Sequence, residues 1–527
     1  MKTRSTASQA SIRGGRQLNS SLSWTAVRAN LEFRQSAIGE RLDRRWQPER
    51  EEPVLESGNV LYEVSGRVQA INCGGLGMMQ TVVSEVGLRE AIDEELKLFK
   101  RHVPYFESDH VLSLVYMILT GGQCLGDLKA RREDEGFLNA LGARRIPDPT
   151  TAGDFLRRFK DRDTVTMLMA AINLARCRVW RLQSKSQRRL ALIDVDGTIV
   201  PTAGRTKEKM DLSYDGRWGF GPLVVSLANT GEVLYAVNRP ASRPSHDGFA
   251  EWIDMAIDLM LEGAGFDRVR VRGDTDFSLT KNFDRWTDRG VEFVFGIDAH
   301  PSFVKRAEGL AEGSWRPLRR SSKKRGKKRR RAPNVKRAVV EAKGYRNLTL
   351  EEEHIAELDY QPVAAEKSYR MIVLRKRIRV SQGQFHLPDD VRYFFYVTNV
   401  SKTRLGTAAV VRESNARCNQ ENLIEQLKNG VQATRLPVRE FHANWAYLVI
   451  ASLAWNLKAW AGLLLPESLG ARALIGMEFR RFLNEVILLP AQILTTARRL
   501  VFRLLAVNRW TVLLLEGTAR LKRCQFA

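Results

Sequence analysis

The sequence predicts an α/β fold in which helical regions precede and follow a core of alternating strands and helices. Residues from about Leu88 to Phe159 have helical periodicity, interrupted by short polar segments. From Leu190 the pattern changes to short apolar runs rich in β-branched residues, separated by helical segments. The last part of the chain again has apolar runs at helical spacing. This order of elements is typical of an α/β core inserted between helical regions.

Size and charge restrict the function classes. The chain has 527 residues and is 44% hydrophobic, which is enough for one large domain or several ordinary ones. Its formal charge of +24 indicates a polyanionic partner, and nucleic acid is the first candidate. The five cysteines are far apart and form no CxxC pair, which argues against a disulfide framework or a zinc ribbon and indicates a reducing compartment.

The N-terminal part divides into two predicted regions. Residues 1–60 are expected to form a flexible basic arm, although the absence of acidic residues in 1–31 also resembles an organelle transit peptide. Residues 61–185 are expected to form a helical domain for DNA binding or dimerisation. No helix-turn-helix signature is clear enough to identify.

Residues 186–300 have the pattern of the first part of the core. The segment "LALIDVDGTIV" predicts a buried strand, and "GPLVVSLANTGEVLYAVN" predicts a hairpin around "NTGE". A helix, a strand, a second helix and a third strand, "VEFVFGID", follow. In these helices Trp252 and Trp286 have the spacing of core residues, and the same interpretation is favoured for Trp315.

Residues 301–405 predict a β-rich insertion that begins with a basic loop. Positions 316–331 contain eleven Lys or Arg residues, and such a density favours a disordered loop when no partner is bound. Three segments rich in β-branched and aromatic residues follow. The candidates for contacts with DNA phosphates in this loop are Lys323, Lys324, Arg325, Lys327 and Lys328.

Residues 406–465 predict the second part of the core, and residues 466–527 a helical C-terminal region. The apolar stretch from Trp445 is interrupted by Asn456 and Lys458 before it reaches the roughly 20 apolar residues that a bilayer requires. Buried helices are therefore expected here, and no membrane contact.

A helix in this second part carries an unusual group of charges. In "RCNQENLIEQLKNG", Arg417, Glu421 and Lys428 are separated by four and seven residues, which places them on one face of an α-helix. A solvated ion pair would explain such a trio in an arbitrary helix. The alternative is a carboxylate at a reaction site between two phosphate-binding cations.

Further carboxylates follow the predicted core strands. Asp194 and Asp196 lie two residues apart at the end of the first strand, and Asp274 ends the later strand in "VRVRGDTDFS". Carboxylates at neighbouring strand ends converge at one edge of a sheet, where their oxygen atoms can bind a hard cation such as Mg²⁺. An Asp at a strand end can also be only a turn residue or a helix cap.

Two families have motifs that resemble these residues. The stretch "DVDGT" resembles the first motif of haloacid-dehalogenase-type phosphatases, in which the first Asp, here Asp194, is the nucleophile. That family expects a second acid several residues after its Gly-Asp, whereas Asp276 follows Asp274 by only two. Nor does a phosphatase explain the positive charge.

The second resemblance extends from about Gly74 to Trp460. The chain is similar to DDE transposases of the IS4 superfamily, and most similar to the IS1380 group. An Asp-x-Asp-Gly strand supplies Asp196, "RGDTDF" supplies Asp274, and the superfamily's Tyr-x2-Arg-x3-Glu-x6-Lys signature matches Arg417, Glu421 and Lys428. The Tyr position of that signature is Ser414 here, which puts an aromatic contact from this position in doubt.

The resemblance implies an RNase H-like catalytic core and a metal-dependent enzyme that cuts and joins DNA. Asp196, Asp274 and Glu421 would be the catalytic and metal-binding residues, holding two Mg²⁺ or Mn²⁺ ions, and Arg417 and Lys428 would bind the scissile phosphate. The expected partners are double-stranded DNA, as terminal inverted repeats and target, and a second copy of the chain in a homodimer on DNA. The expected location is the cytoplasm, in association with the nucleoid.

Overall fold

The structure is a computed structural model, and it describes residues 24–41, 43, 68–102, 104–319, 339, 342–343, 346–382, 385–496 and 499–522. Most of the basic loop lies outside these ranges, including all five of its phosphate-contact candidates: Lys323, Lys324, Arg325, Lys327 and Lys328. Most of the N-terminal arm, 1–60, also lies outside them.

Helices dominate the N-terminal part, as the periodicity predicts. The described part of the arm is itself a helix, where the sequence predicted a flexible segment. The helices are α1 (Trp24–Arg41), α2 (Leu76–Glu85), α3 (Leu88–Glu95), α4 (Glu107–Leu119), α5 (Asp127–Arg132), α6 (Glu135–Leu141), α7 (Pro149–Leu156) and α8 (Arg162–Arg181), with a short strand, β1 (Ala70–Ile71), before α2.

A mixed sheet forms the centre of the fold. Its first strand, β2 (Ala191–Gly197), pairs antiparallel with β6 (Leu223–Leu227), which pairs antiparallel with β7 (Glu232–Val237). On the other side β2 pairs in parallel with β8 (Val269–Gly273), and β8 pairs in parallel with β9 (Glu292–Ile297). The helices α9 (Phe249–Asp258) and α10 (Phe283–Asp288) connect these strands. This is the RNase H-like arrangement that the sequence predicts, including the hairpin around "NTGE".

A small three-stranded sheet projects between β2 and β6. It consists of β3 (Val200–Pro201), β4 (Asp211–Leu212) and β5 (Trp218–Phe220), in the order β3, β5, β4. We call residues 198–220 the flap. The sequence analysis did not predict it, because its strands are too short to show a period.

The insertion continues the core sheet rather than forming a separate one. After α11 (Pro301–Glu308) and β10 (Arg316–Pro317), three long antiparallel strands follow: β11 (Arg346–Tyr360), β12 (Tyr369–Gln382) and β13 (Phe385–Thr398). The last of them pairs antiparallel with β9 over four residues. The order in the resulting nine-stranded sheet is therefore β10, β11, β12, β13, β9, β8, β2, β6, β7.

The last part of the chain returns to helices. It contains α12 (Thr407–Ala416), α13 (Cys418–Glu425), α14 (Phe441–Leu464), α15 (Phe479–Phe482) and α16 (Thr518–Leu521). The expectation of an entirely helical region after residue 465 was incomplete. Strands β14 (Ala491–Thr496) and β15 (Arg499–Leu504) form a hairpin there, and β14 pairs with β1.

Helix α14 is the central core helix. It is long and apolar enough to cross a membrane, but 94% of its most apolar window is buried within the fold, against α2, α4, α8 and β7. Two of its buried polar side chains are satisfied internally: the amide of Asn456 bonds the backbone of Val233, and Lys458 Nζ donates to two carbonyl oxygens near residue 475. The buried hydroxyl of Tyr447 has no hydrogen-bond partner among the described residues. Burial of a helix on all sides explains its apolar composition.

A buried polar network joins this helix to α8 and β7. The carboxylate of Glu232, fully buried, accepts hydrogen bonds from Arg176 Nε at 3.1 Å, Trp180 Nε1 at 3.0 Å, Trp460 Nε1 at 2.7 Å and Thr230 Oγ1 at 2.6 Å. Without these partners the buried carboxylate would destabilise the fold by several kcal/mol, on the order of the cost of removing its charge from water. The network therefore fixes how the helical region sits on the edge of the core sheet.

Candidate functional site

Two carboxylates converge where β2 and β8 end. Asp196 is the sixth residue of β2, and Asp274 directly follows β8. The backbone N–H of Gly197 donates to Asp196 at 2.8 Å, and the N–H of Asp276 donates to Asp274 at 3.1 Å. These contacts fix both side chains, and Asp274 also caps the single 3₁₀ turn Thr275–Phe277. Their proximity follows from the parallel pairing of β2 with β8.

The helix that carries Glu421 is held against the same sheet. Gln420, which is buried, donates from Nε2 to the carbonyl oxygen of Val224 at 3.1 Å and is also bonded to Ser226 Oγ, both on β6. Glu421, the next residue, is exposed, and its negative charge contributes to the raised pKa of Asp196. The Gln420 anchor therefore brings the helix of Glu421 to this edge of the sheet, but in the described part of the chain its carboxylate does not join Asp196 and Asp274 in a three-carboxylate cluster.

Arg417 connects the helix to the two strand ends. Its Nη1 lies 3.4 Å from Asp196 Oδ2 and 3.7 Å from Asp274 Oδ2. It occupies the junction between α12 and α13, where the chain changes direction without leaving helical conformation. Arg417 thus compensates the charges of two carboxylates that come from different strands. This arrangement differs from the solvated i, i+4 ion pair that was the simplest interpretation of the charged residues in this helix.

Lys428 differs from the sequence expectation in its backbone. The α-helix ends at Glu425, and Gln426–Gly430 form a π-helical turn, so the three charges do not lie on one regular helix. Lys428 Nζ nevertheless donates to the carbonyl oxygen of Ile199 at 3.3 Å, three residues beyond Asp196. The π turn brings it to the same strand end, and π turns are often found at functional sites.

The electrostatics of the site favour a bound cation. Burial raises the pKa of Asp196 to about 6, with a further increase from the charge of Asp274, while Arg417 acts in the opposite direction. Burial also raises the pKa of Asp274, again opposed by Arg417. Burial lowers the pKa of Lys428. When both are ionised, these two half-buried carboxylates carry one more negative charge than Arg417 compensates, and a bound cation would offset it.

The donor set fits a hard divalent cation. Among the residues that the structure describes, no group of three or more His, Cys, Asp or Glu side chains is close enough to form a complete metal site. Asp196 and Asp274 nevertheless direct oxygen atoms to one place, where Arg417 is their shared counter-charge, and such oxygens are the ligands that Mg²⁺ and Mn²⁺ prefer.

Asp194 is excluded from this site by a buried ion pair. Its side chain is 1% exposed and is bound by Arg272 of β8, from Nε to Oδ1 and from Nη2 to Oδ2, each at 2.7 Å. A carboxylate held in this way is not free to attack a phosphate ester. The structure therefore argues against the phosphatase interpretation of "DVDGT".

Sequence reasoning missed the residues that position the site. Arg272 and Gln420 were not predicted, although the alternation of Arg270 and Arg272 in "VRVRG" was a signal for two arginines on one face of a strand. Arg239, also buried, donates to the carbonyl oxygens of Gly221, Ser245 and Asp247 and so holds the 244–247 loop beside Gly197. His246, in this loop, makes no ligand set. The prediction that Trp252, Trp286 and Trp315 pack in the core is confirmed.

Comparisons with known proteins identify the family of this chain. The family model described as "Transposase DDE domain group 1" matches residues 53–526. A solved structure, the cryo-EM structure of piggyBac transposase synaptic complex with hairpin DNA, is similar at 10% identity and a TM-score of 0.35, covering 79% of this chain and 81% of that chain. Comparison with curated proteins found no match. Because the family model covers most of the chain, this protein belongs to the DDE transposase family, group 1.

Proposed function

We propose that this protein is a cut-and-paste DNA transposase whose catalytic residues are Asp196, Asp274 and Glu421. The observation that carries the proposal is that Arg417, at the start of the helix of Glu421, contacts both strand-end carboxylates. Three parts of the chain that are distant in sequence thereby meet at one edge of the sheet. The family assignment supports DNA transposition as the reaction.

Asp196, Asp274 and Glu421 would hold the divalent ions, two Mg²⁺ or Mn²⁺. When bound, such ions activate the attacking water or 3′-hydroxyl and stabilise the leaving oxygen of an in-line displacement. The N–H groups of Gly197 and Asp276 hold the carboxylates of Asp196 and Asp274 before DNA binds, and Gln420 holds the helix of Glu421. Catalytic groups that are oriented in advance lower the barrier of the reaction.

Arg417 and Lys428 would bind the phosphate that is cut. In the described structure Arg417 contacts both carboxylates, and this supports the expectation that its guanidinium meets a scissile phosphate that approaches them. Lys428, held at Ile199, supplies a second cation at the same strand end. The basic loop with Lys323, Lys324, Arg325, Lys327 and Lys328 would add contacts that do not depend on sequence.

The finer assignment rests on the signature. The spacing of Arg417, Glu421 and Lys428 supports membership of the IS4 superfamily and its IS1380 group, although Ser414 replaces the Tyr of that signature. We further propose that the protein acts on terminal inverted repeats and target DNA as a homodimer, in the cytoplasm with the nucleoid.

The test is cleavage of the DNA that flanks the encoding locus. Purified full-length protein is expected to nick this DNA at the ends of the element in Mg²⁺ or Mn²⁺, and not after addition of a chelator. The matched control is Asp196→Asn, which should bind the same DNA without cutting it. Cleavage that survives this substitution, or hydrolysis of small phosphate esters in its place, would contradict the proposal.

A further inference from the structure

We infer that Trp218 of the flap stacks on an unpaired DNA base next to the scissile phosphate, with Leu212 and Tyr214 completing the platform. The inference rests on the proposed function, because it extends the same site to the DNA that the site would cut. Trp252, Trp286 and Trp315 cannot make this contact, because all three are buried.

Trp218 is the exposed exception among the tryptophans whose side chains the structure describes. Its relative exposure is 54%, while Trp180, Trp252, Trp286, Trp315, Trp445, Trp455, Trp460 and Trp510 are buried. Leu212 faces it directly across the β4–β5 pair and is also exposed. Tyr214, in the turn that follows, is 92% exposed. Three large apolar side chains are thus presented to solvent together.

The flap is rigid at its base and defined at its tip. Phe220, two residues after Trp218, is fully buried and packs near Phe441 of α14, with the ring centroids 6.1 Å apart. Lys207 donates to the carbonyl oxygen of Val438 at 2.8 Å. At the tip, Ser213 Oγ donates to the Arg217 carbonyl at 2.8 Å, and Gly216 supplies the positive φ of 79° that the turn requires. Exposure of Trp218 is therefore not a consequence of a loose loop.

The flap is also joined directly to the site. It begins two residues after Asp196, and Lys428 binds its second residue, Ile199. Trp218 returns towards the start of the flap, because its carbonyl oxygen accepts a hydrogen bond from the N–H of Thr202 at 3.0 Å. The flap has a second bond on its β4 side, where Asp211 accepts a hydrogen bond from Ser242 Oγ. Ser242 lies just before residues 244–247, the loop that Arg239 holds beside Gly197.

A nucleobase fits this surface better than a protein does. The patch contains three apolar side chains, whereas a standard protein interface buries about 800 Å² and 20–30 residues on each side. Arg217 directly precedes Trp218 and is paired with Asp215, and Lys428 is bonded to Ile199 at the start of the flap. Basic groups on both sides of an exposed aromatic ring suit a strand whose bases stack while its phosphates bind cations. A second copy of this chain is the alternative occupant.

Fluorescence of 2-aminopurine tests the contact directly. The flanking DNA of the encoding locus, with 2-aminopurine placed in turn at each position around the nick, is bound by full-length Asp196→Asn protein, which should not cut it. We expect a marked change of fluorescence at one or two positions, retained with Trp218→Phe added and lost with Trp218→Leu. Leucine keeps the apolar contact but cannot stack, so it is the matched control.

Cleavage by variants of the otherwise wild-type chain provides the second readout. Trp218→Leu is expected to slow single-turnover cleavage about tenfold or more, and Trp218→Phe by much less, because one base–aromatic stack is lost. Tyr214→Ala, at a position too exposed to affect folding, is expected to slow it to a smaller degree. Cleavage by Trp218→Leu at the wild-type rate would overturn the inference, and so would a 2-aminopurine signal that is unchanged when Trp218→Leu is added to Asp196→Asn. A change in the mass of the DNA-free protein on Trp218→Leu would also overturn it, in favour of a second copy.

The two proposals fail in different ways. If the wild-type protein cuts no DNA, the proposed function is wrong, and the fluorescence experiment still reports whether Trp218 meets a base. If the wild-type protein cuts and Trp218→Leu cuts equally well, only the base contact is wrong.

Discussion

Arg272 binds Asp194 through two parallel hydrogen bonds of 2.7 Å, in the interior of the sheet. The two residues are also register partners of the parallel strands β2 and β8, so the pair fastens the strands that carry the candidate carboxylates. In addition, Arg272 Nη1 lies 3.4 Å from the carbonyl oxygen of Glu413, in the helix that leads to Arg417. The ion pair thus supports the site without belonging to it.

Asp194→Asn and Asp196→Asn are therefore expected to have different consequences. Asp194→Asn leaves a buried arginine without its counter-charge and should lower the free energy of unfolding by about 3–5 kcal/mol. Asp196→Asn should leave the unfolding transition close to that of wild type but abolish cleavage. Chemical denaturation followed by tryptophan fluorescence, together with single-turnover cleavage, separates the two effects. A free energy of unfolding of Asp194→Asn equal to that of wild type would mean that the Asp194–Arg272 ion pair contributes little to stability.

The two glutamates of α13 give a second matched pair. Glu421→Gln should cost at least about 3 kcal/mol of transition-state stabilisation, or a hundredfold in rate, because a preorganised charge is lost. Glu425, four residues on, accepts from its own neighbour Asn429, and Glu425→Gln should cost much less. Nicking in Mg²⁺ at equal DNA occupancy decides between them, and an inactive Glu425→Gln beside an active Glu421→Gln would show that the catalytic glutamate is misassigned.

The basic loop is expected to act on affinity rather than on chemistry. Replacing residues 323–331 with Ser and Gly should weaken DNA binding and flatten its dependence on salt, because fewer counterions are released. Binding isotherms over a salt series measure both the affinity and the slope. An unchanged dependence of DNA affinity on salt would show that the basic loop does not bind DNA phosphates.

The buried carboxylate of Glu232 is expected to be important for stability alone. Glu232→Gln leaves Arg176 unpaired in the interior, which should cost about 3–5 kcal/mol of unfolding free energy. Glu251→Gln, which breaks an exposed pair with Arg162, serves as the control and should cost about 1 kcal/mol or less. Equal unfolding transitions for the two variants would contradict the importance of the network.

Lys458 should make stability depend on pH in a predictable direction. Burial lowers its pKa to about 7, whereas the unfolded side chain titrates at about 10.4. Between these values the unfolded chain binds the extra proton, so the stability of wild type relative to Lys458→Met should rise from pH 7 to pH 10. Denaturant titrations of both proteins across that range measure this difference. A difference that falls with rising pH would contradict the assigned pKa.

The sequence predicted the strands of the candidate site better than the residues that hold the site in place. The strands of Asp196 and Asp274 were recognisable because apolar, β-branched runs end in carboxylates, and the signature spacing located Glu421. The anchors Arg272 and Gln420 could not be predicted, since their partners lie on strands whose pairing the sequence does not specify. The spacing of Arg417 and Lys428 suggested one regular helix, and only tertiary contacts show the π turn between them.

Errors occurred where local signals are weakest. Segment 24–41 belongs to the arm, 1–60, that was expected to be flexible, yet it is helical and contacts Glu516 through Arg28. The hairpin β14–β15 has an apolar pattern that suits a helix equally well, and its pairing with β1 is a contact across most of the chain. Trp218 escaped notice because its exposure depends on the flap, whose strands are two or three residues long.

The insertion lies between Asp274 and Glu421 in the chain, and its last strand shares hydrogen bonds with β9. During translation, the emerging chain carries both aspartates long before the helix of Glu421 leaves the ribosome. A nascent chain of this length lacks the third residue of the proposed reaction centre. If Glu421 has the role proposed for it, the order of segments delays DNA cleavage until the ribosome has passed residue 421.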